Sequence, residues 1–531
     1  MEAACSGLFD SIAEKAAASV QDFDPQGLSC QIAWAFATAR LQSPSLFDAI
    51  AREAHARAHL FDPQSISGLA WAFAALRERR PGLLRELGAQ AIGRPWALDA
   101  RGLTNFVWAY ATLGEDGGRL FSVLAPEVVR RAPDFRPQEL CNVAWAFATL
   151  RAGDSTLFRV VGAELFAKLR GLRTRALSHA CLASQAADIA DYVWAANFAG
   201  ALEDVAMSAA RQVLGEIGRA LDCDVPPPAM RTLATTSKGG GSVGERTPSV
   251  VVDLQDRIVI HKPPGWEVDP TAGQARMNGP PTGFQLSGFL QGMLPRRQCP
   301  LVYDSDMSFG ILHRLDVASS GLVAAGKTYE AYLDLQVQLR AGELVRDYIV
   351  LCHSLVPPSL DEVEAWMRSD SVVSAPSVVA RHGGRPSRSK LRSLAQCSLS
   401  GHAALSLVAV RIETGRRHQI RVHVAHVGSP VVRDWMYAAA PTFEDDGAWC
   451  PRNFLHRHRL VFRDRGGVVR EFAACLPREL RTALGRVSPR GDASAEALRR
   501  WRDDSMPCGW EHSQLQAGGR EMSGASIVRK E

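Results

Sequence analysis

The sequence has no apolar run long enough to cross a membrane, since a spanning helix needs about 18 consecutive apolar residues. Its longest stretch without a charged residue, 277–295, is interrupted by proline, glycine, asparagine and glutamine. The 11 cysteines are scattered singly, without a CxxC pair and without histidines at zinc-ligand spacing. We therefore expect no membrane contact, no metal site and no disulfide framework, and a reducing compartment.

The charge is not strongly of one sign, because 61 lysines and arginines stand against 56 acidic residues, for a net charge of +5. A pI near 8.7 fits contact with a polyanion but does not by itself identify nucleic acid as the partner. The apolar fraction of 46% and the charged fraction of 22% are those of folded globular proteins. At 531 residues the chain exceeds the size of a single hydrophobic core, so two domains are predicted.

A tryptophan recurs every 37 residues in the first third of the chain, and an aromatic residue follows two positions after each one. The pairs are Trp34 and Phe36, Trp71 and Phe73, Trp108 and Tyr110, and Trp145 and Phe147. Turns such as Asp24-Pro25 and Asp62-Pro63 come ahead of the tryptophans and suit an N-cap with proline at the first helical position. A second helix follows in each unit. Because one such helix pair cannot bury its own apolar face, the repeat predicts an α-solenoid of stacked pairs.

These Trp-Ala-Phe-Ala repeats resemble the helical repeats of organellar RNA-processing proteins, over about residues 20–200. The resemblance suggests a mitochondrion or plastid, with cytoplasm or nucleus as the alternative. Residues 1–24 contain acidic residues and no arginine, unlike a transit peptide. The repeated aromatics are expected between helices in the core, so other positions would contact RNA or a protein partner.

Composition changes over residues 222–248, which contain three consecutive prolines and three consecutive glycines. Such a segment cannot form a packed element and is predicted to be a flexible linker. The predicted organisation is a helical repeat region over 1–221, the linker, a second domain over 249–488 and a tail over 489–531. The tail has little apolar periodicity and is expected to be disordered.

The second domain contains four motifs in a fixed order. They are His313-Arg314-Leu315-Asp316 with the turn Ser319-Ser320-Gly321, then Arg346-Asp347-Tyr348, then residues 414–423 with Gly428-Ser429-Pro430 and Asp434, and last Leu455-His456. Together they resemble the motifs of RluA-type RNA pseudouridine synthases. The sequence departs from the family pattern at three positions. Ser319 replaces a threonine, Arg346 replaces a lysine, and Arg433 stands where glycine is usual.

The resemblance implies an α+β pseudouridine synthase domain with a central mixed β-sheet, whose catalytic aspartate is Asp316. It also implies that Arg421 pairs with this carboxylate and that Tyr348 stacks on the flipped uracil. Uridine isomerisation breaks the bond from N1 to C1′ and rejoins the base through C5, so no cofactor and no metal are needed. The residues predicted to bind the RNA are Arg314, His313, Arg416, His418 and Gln419. For the two histidines, a structural role is the alternative.

The sequence leaves several points open. Asp316 could act as a nucleophile or as a base, and the RNA could be ribosomal, transfer or messenger RNA. A non-catalytic RNA-binding scaffold is one rival function. A glycosidase is another, although no comparable motif supplies its second carboxylate. The basic residues between 381 and 392 are expected either in a solvated loop or at RNA phosphates.

Overall fold

The computed structural model describes residues 2–170, 177–223, 225, 246–268, 284–369, 375–380, 382–399 and 403–503. The chain divides into two compact units. The first comprises Met1–Leu177, Ser184–Val213 and Arg381–Arg385, and the second comprises Ser178–Ala183, Leu214–Ala380 and Pro386–Glu531. The main division follows Val213, ahead of the predicted end of the helical region at 221. Most of the predicted linker lies outside the described residues.

The front part of the chain is helical. Its helices are α1 (Glu2–Ala18), α2 (Trp34–Ala39), α3 (Pro44–Ala56), α4 (Pro63–Ala75), α5 (Pro81–Gly93), α6 (Ala100–Leu113), α7 (Gly118–Arg130), α8 (Pro137–Leu150), α9 (Ser155–Leu169), α10 (His179–Phe198) and α11 (Asp204–Leu221). A π-helical stretch, Gly27–Ala33, leads into α2. Across the described residues, no helix is both long and apolar enough to cross a bilayer.

Aspartates begin two of the repeated helices, as the Asp-containing turns predict. Asp62 accepts a hydrogen bond at 2.6 Å from the backbone N–H three residues later, ahead of α4. Asp99 does the same at 2.7 Å ahead of α6. Each bond satisfies one of the N–H groups that a helix start leaves unpaired. The predicted helix starts are confirmed at these two positions.

The aromatic residues two positions after the tryptophans form the core between helices. Phe36, Phe73, Tyr110 and Phe147 are at most 4% exposed. Three of them meet a phenylalanine of a neighbouring helix edge to face, with ring centroids 5.7 Å apart for Phe9 and Phe36, 5.0 Å apart for Phe47 and Phe73, and 4.7 Å apart for Phe121 and Phe147. Contacts of this geometry add about 0.5–1.5 kcal/mol to the burial of each ring pair.

The repeated tryptophans do not lie in that core, contrary to the expectation for the whole aromatic set. Trp34 is 43% exposed, and Trp71, Trp108 and Trp145 are half-buried. Side chains two residues apart on a helix point in nearly opposite directions, since each residue turns the helix by about 100°. A helix that buries the second aromatic in the core therefore places its tryptophan on the opposite side, where the ring keeps part of its surface exposed.

Basic residues join successive repeats through backbone carbonyls. Arg57 donates to the carbonyl oxygen of Phe23 at 3.0 Å, and Lys168 donates to that of Pro133 at 2.7 Å. In each case the partner lies 34 or 35 residues earlier, in the preceding repeat. The two donors stand at equivalent positions of their repeats, three repeat lengths of 37 residues apart.

The second unit is built around a sheet. Its strands are β1 (Ser249–Asp253), β2 (Arg257–Lys262), β3 (Trp266–Glu267), β4 (Phe284–Gln285), β5 (Ser320–Gly326), β6 (Val345–His353), β7 (Glu362–Arg368), β8 (Val378–Val379), β9 (Arg385–Leu399), β10 (Ala403–Ile412), β11 (Leu455–Arg463), β12 (Val469–Ala473) and β13 (Ser488–Pro489). Its helices are α12 (Leu286–Met293), α13 (Tyr329–Arg340), α14 (Gln419–His426), α15 (Ala440–Asp446), α16 (Arg478–Leu484) and α17 (Asp492–Arg502).

Within the described residues, the main sheet has the strand order β1-β2-β5-β11-β6-β10-β9-β7-β8, with β12 beside β11 and β13 beside β9. Strands β5 and β11 are parallel, whereas β11 and β6 are antiparallel. The mixed sheet implied by the sequence motifs is therefore confirmed. Its two faces are both buried, since Tyr348 and Val350 of β6 lie in one apolar cluster and Ile349 and Leu351 lie in another.

The tail differs from its prediction. Residues predicted to be disordered from 489 onward instead form β13 and α17 up to Arg502, and residues after 503 lie outside the described part. Trp501 is 2% exposed and its ring meets His458 edge to face, while Leu498 is 1% exposed. Leu498 and Trp501 are the two large apolar residues of α17, three positions apart on one face of the helix, and the charged residues around them mask this short apolar pattern in the sequence.

If α17 is part of the folded unit, Trp501→Ala should cost about 3–5 kcal/mol of its free energy of unfolding, because a large buried ring is lost. Arg500→Ala, on the exposed side of the same helix, should change it by less than about 0.5 kcal/mol. Native-state hydrogen exchange of the amides in β10 measures both effects. Equal protection in the two variants would show that α17 is dispensable.

Candidate active site

Asp316 lies at one end of a chain of ion pairs whose central member is Arg421. Arg421 of α14 donates from Nη1 to the Asp316 carboxylate at 2.9 Å. The same guanidinium donates from Nε and Nη2 to both oxygens of Asp434, at 2.6 and 2.7 Å. Asp434 is fully buried, whereas the Asp316 side chain keeps 25% of its surface exposed. The arrangement leaves one carboxylate of the two accessible to a substrate.

The guanidinium of Arg421 is held in its charged form. Burial lowers the pKa of Arg421, but the hydrogen bonds that it donates to Asp434 and the charge of Asp316 outweigh that effect and raise it above its ordinary value. The ring of Tyr437 lies 5.0 Å from the guanidinium carbon, close enough for a cation–π contact. Arg421 therefore has a fixed direction and a permanent charge beside Asp316.

A turn after Asp316 and the start of α14 determine where Asp316 and Arg421 lie. The backbone N–H of Ser319 donates to the carbonyl oxygen of Asp316 at 3.0 Å, which closes a turn before β5. Asn453 donates to the Ser319 hydroxyl at 3.2 Å, so the hydroxyl kept at this position has a partner. On the other side, α14 begins at Gln419, two residues before Arg421.

Gln419 supports the start of α14 from within the protein. Its Oε1 accepts from the Thr414 hydroxyl at 2.8 Å and from the Arg416 backbone N–H at 2.9 Å. Its Nε2 donates to the Arg388 carbonyl and the Ser389 hydroxyl, at 3.0 and 2.9 Å. The side chain of Gln419 is buried and these four contacts use both ends of its amide.

The other residues predicted to bind RNA occupy different depths. Arg314 is exposed, and His313 is buried. Arg416 donates to the Pro386 carbonyl at 3.2 Å. His418 contacts the Tyr437 hydroxyl through Nδ1 at 2.9 Å, and burial lowers the pKa of His418 to about 4. Of the five, Arg314 has the open position that an RNA contact requires.

The basic run between 382 and 392 is not a loop. It lies mainly in β9, where Arg388 and Lys390 both pair with Glu413, at 3.3 and 2.8 Å. The expectation of a solvated loop is wrong for these residues, because the strand pairs with β10 along its length.

Tyr348 lies in the middle of β6 and is 3% exposed. Its hydroxyl accepts hydrogen bonds from Nε and Nη2 of Arg457, at 2.8 and 2.5 Å. Arg457 also donates to the Arg314 carbonyl at 3.0 Å, two residues before Asp316. One buried guanidinium thus connects Tyr348 to the segment that carries the aspartate.

Lys262, at the end of β2, supports that segment from the other side. Its ammonium donates to the carbonyl oxygens of Pro263, Trp266 and Val317, at 3.1, 2.8 and 3.3 Å. Val317 is the residue after Asp316. Burial lowers the pKa of Lys262 to about 7, although the charge of Asp316 opposes the shift.

Sequence reasoning missed Asp434, Arg457 and Lys262 as parts of the site. Asp434 was visible inside a motif, but nothing in the sequence indicates that it holds Arg421. Arg457 is one of several arginines in β11, and their directions depend on strand pairing. Lys262 precedes two prolines, which indicate only a turn.

The backbone conformation of Arg433 shows why glycine is usual at this position in the family pattern. Its backbone has φ of 59°, in the left-handed region where glycine has no steric cost. The Arg433 N–H donates to Asp446 at 2.6 Å, and its guanidinium lies 3.8 Å from the ring centroid of Phe443. These contacts offset the strain, which is about 1 kcal/mol.

Comparison with known proteins adds to this geometry. A family model described as RNA pseudouridylate synthase matches residues 256–426. A protein of Yersinia pestis named ribosomal large subunit pseudouridine synthase D is 32% identical over 245 residues, covering 44% of this chain and 68% of that protein. This chain belongs to the RNA pseudouridylate synthase family. The family motifs that include Asp316 and Tyr348 lie inside the matched range.

Similarity extends to two further bacterial proteins and to one solved structure. The protein of the same name from Escherichia coli O6:H1 is 31% identical and covers 44% of this chain and 68% of its own length. A Neisseria meningitidis relative is 29% identical, and the match covers 65% of its length. The solved structure of human RNA pseudouridylate synthase domain containing 1 is 20% identical, with a TM-score of 0.33, and the match covers 49% of this chain and 98% of that one.

The buried pair between Arg421 and Asp434 should be needed for turnover. Asp434→Asn keeps the shape but halves the charge that holds the guanidinium, so kcat should fall by at least about tenfold with little change in KM. Asp445→Asn makes the same chemical change at an exposed position nearby and should leave kcat within about twofold of wild type. Steady-state kinetics that gave equal values for both variants would contradict the role assigned to Asp434.

Lys262 should make stability depend on pH. The unfolded chain holds the lysine proton up to about pH 10.4, whereas the folded protein loses it from about pH 7. Between these values the unfolded state binds more protons, so raising the pH stabilises the folded state, by up to about 1.4 kcal/mol per pH unit. Relative to Lys262→Met, wild type should therefore gain free energy of unfolding from pH 7 to 10 in urea titrations. Parallel curves would show that the folded protein keeps the proton.

Proposed function

We propose that this chain is an RNA pseudouridine synthase that isomerises specific uridines through Asp316. The observation that carries the proposal is the carboxylate of Asp316, partly exposed and held by an arginine that a second, fully buried aspartate fixes in place. The family membership of the chain gives this geometry its substrate class. The activity requires no cofactor, since bonds are exchanged within one nucleotide.

The reaction asks three things of the protein. The target base must leave the RNA stack, and the exposed Arg314 lies two residues before Asp316 where it can fill the space left behind. A carboxylate must then act at the nucleotide while the bond from N1 to C1′ breaks. Last, the turned base must lose its C5 proton after C5 bonds to C1′, and Tyr348 lies against the same segment through Arg457.

Asp316 can take part by either of two routes. As a nucleophile it forms a covalent bond to the nucleotide and later leaves, and as a base it removes a sugar proton that must be returned. Both routes use an ionised carboxylate with a fixed direction. Arg421 supplies that direction through one hydrogen bond from Nη1, while Nε and Nη2 donate to Asp434.

The proposal extends to the substrate and the helical unit. The relatives named above carry the name of ribosomal large subunit synthases, which favours ribosomal RNA over transfer or messenger RNA. We infer that the helical repeats stack as an α-solenoid and help to recognise the RNA or a protein partner. Carbonyl bonds such as those from Arg57 and Lys168 to the preceding repeat support the stacking. The repeat type favours a mitochondrion or plastid as the compartment.

Asp316→Asn tests the proposed chemistry. RNA carrying tritium at uracil C5 releases it to water when the base is isomerised, so release measures turnover directly. The variant should release tritium at least about 10³-fold more slowly, with its Kd for RNA within about threefold of wild type. Asp306→Asn, an exposed aspartate on the same approach to the motif, should keep full activity. Comparable tritium release by Asp316→Asn and wild type would sink the assignment of Asp316.

A further inference from the structure

A buried arginine beneath the site has contacts that the reaction described so far does not explain. Arg457 is 1% exposed, and its guanidinium reaches the Tyr348 hydroxyl, the Arg314 carbonyl, the Leu322 carbonyl at 2.9 Å and Nδ1 of His313 at 2.5 Å. Among the residues that the structure describes, none of these hydrogen-bond partners is a carboxylate. A buried charge of this kind is costly compared with an apolar side chain of similar size.

A β-bulge in β11 determines which face of the sheet the Arg457 side chain lies on. In β11, Arg457 pairs with Tyr348 while Arg459 pairs with Asp347, and the register shifts between them. This bulge turns Arg457 toward the Tyr348 face, whereas Arg459 bonds Asp347 at 2.8 Å on the opposite face. Residues two apart on a regular strand would share one face.

The neighbouring strand also makes room for Arg457. Gly321 of β5 pairs with Arg457 and has φ of 131°. A Cβ at Gly321 would collide with the backbone carbonyl of Arg457. The Ser-Ser-Gly turn that follows Asp316 thus places its glycine against the strand that carries the arginine, so both ends of the Asp316 segment contact Arg457.

His313 fits the same arrangement as an acceptor. Burial lowers its pKa well below the ordinary histidine value, and the charge of Arg457 lowers it further. A neutral ring can accept from Arg457 through Nδ1, which a charged ring could not do. The first residue of the His-Arg-Leu-Asp motif therefore contacts the arginine from inside the protein.

We propose that Arg457 is a positioning residue of the catalytic centre, which fixes the Tyr348 hydroxyl and the His313-to-Asp316 segment relative to each other. It acts through Tyr348 and the Arg314 carbonyl and does not touch the RNA. The two donors on one phenol oxygen set the direction of the ring that faces the uracil. This inference rests on the proposed function, because the two groups that Arg457 joins are those assigned to the isomerisation.

A double-mutant cycle separates this role from simple packing. Arg457→Met should lower kcat about 10²-fold, since small displacements of reacting groups have effects of that size, while the Kd for RNA stays within about threefold. Arg457→Lys keeps a charge but loses the fork and should fall between the two. In a Tyr348→Phe background, Arg457→Met should lower kcat by less than about fivefold, because the Tyr348 hydroxyl is already gone and, of the two groups through which Arg457 acts, only the Arg314 carbonyl remains to be lost.

Arg459→Met is the matched control. It removes a buried arginine from the same strand, but this arginine bonds Asp347 on the other face of the sheet. Its effect on kcat should be the same factor in both backgrounds. Equal losses from Arg457→Met with and without the Tyr348 hydroxyl would overturn the proposal. If wild type itself releases no tritium from any cellular RNA, the proposed function fails, and that result is distinct from a failure of the cycle.

A spectroscopic measurement decides the matter if Tyr348→Phe is inactive or Arg457→Met is poorly folded. The chain has 7 tyrosines, so ¹³Cζ-tyrosine labelling gives few signals, and Tyr348→Phe assigns the one of interest. That signal should move in Arg457→Lys and stay in place in Arg459→Lys. An unchanged Tyr348 signal in Arg457→Lys would contradict the proposed contact.

Discussion

The site depends on a single guanidinium that two carboxylates share. Arg421 turns one edge to the buried Asp434 and one donor to the more exposed Asp316. A buried arginine without such partners would be strongly destabilising, so the loop that carries Asp434 and the segment that carries Asp316 are both tied to α14. Gln419 then ties the start of α14 to β9. The same hydrogen bonds and ion pairs therefore hold the local fold together and set the position of Asp316.

Two groups of buried charged residues lie on opposite faces of the sheet. On one face, Asp347 is fully buried and neutralised by Arg411 and Arg459, at 2.7 and 2.8 Å. On the other face, Arg457 meets Tyr348 and the Asp316 segment without a carboxylate of its own. The bulge in β11 is what allows arginines two residues apart to serve different faces. The partners of Arg457 are neutral acceptors, namely a phenol, a histidine ring and two carbonyl groups, so Arg457 does not take a carboxylate from Arg421.

The motifs of the second domain could be found from the sequence because several short segments that resemble one family follow each other in a fixed order. Asp316 and Arg421 were predicted as partners, and the structure brings them to 2.9 Å. The contacts of Arg457 could not be predicted, since they depend on a register shift between strands about 110 residues apart. Periodicity also failed for α17, where burial rests on Leu498 and Trp501 rather than on a full apolar stripe. In the repeats, spacing located the helices, but only helix geometry shows that Trp34 and Phe36 face apart.

The central claim is that Asp316 makes pseudouridine in RNA, and the most direct measurement is a map of pseudouridine in the RNA of the cell. The map is made with the protein present, with it removed, and with Asp316→Asn supplied in its place. The account predicts at least one uridine in ribosomal RNA that is pseudouridine only when the unaltered protein is present. A map that is the same in all three cells, or one that Asp316→Asn restores, would contradict it.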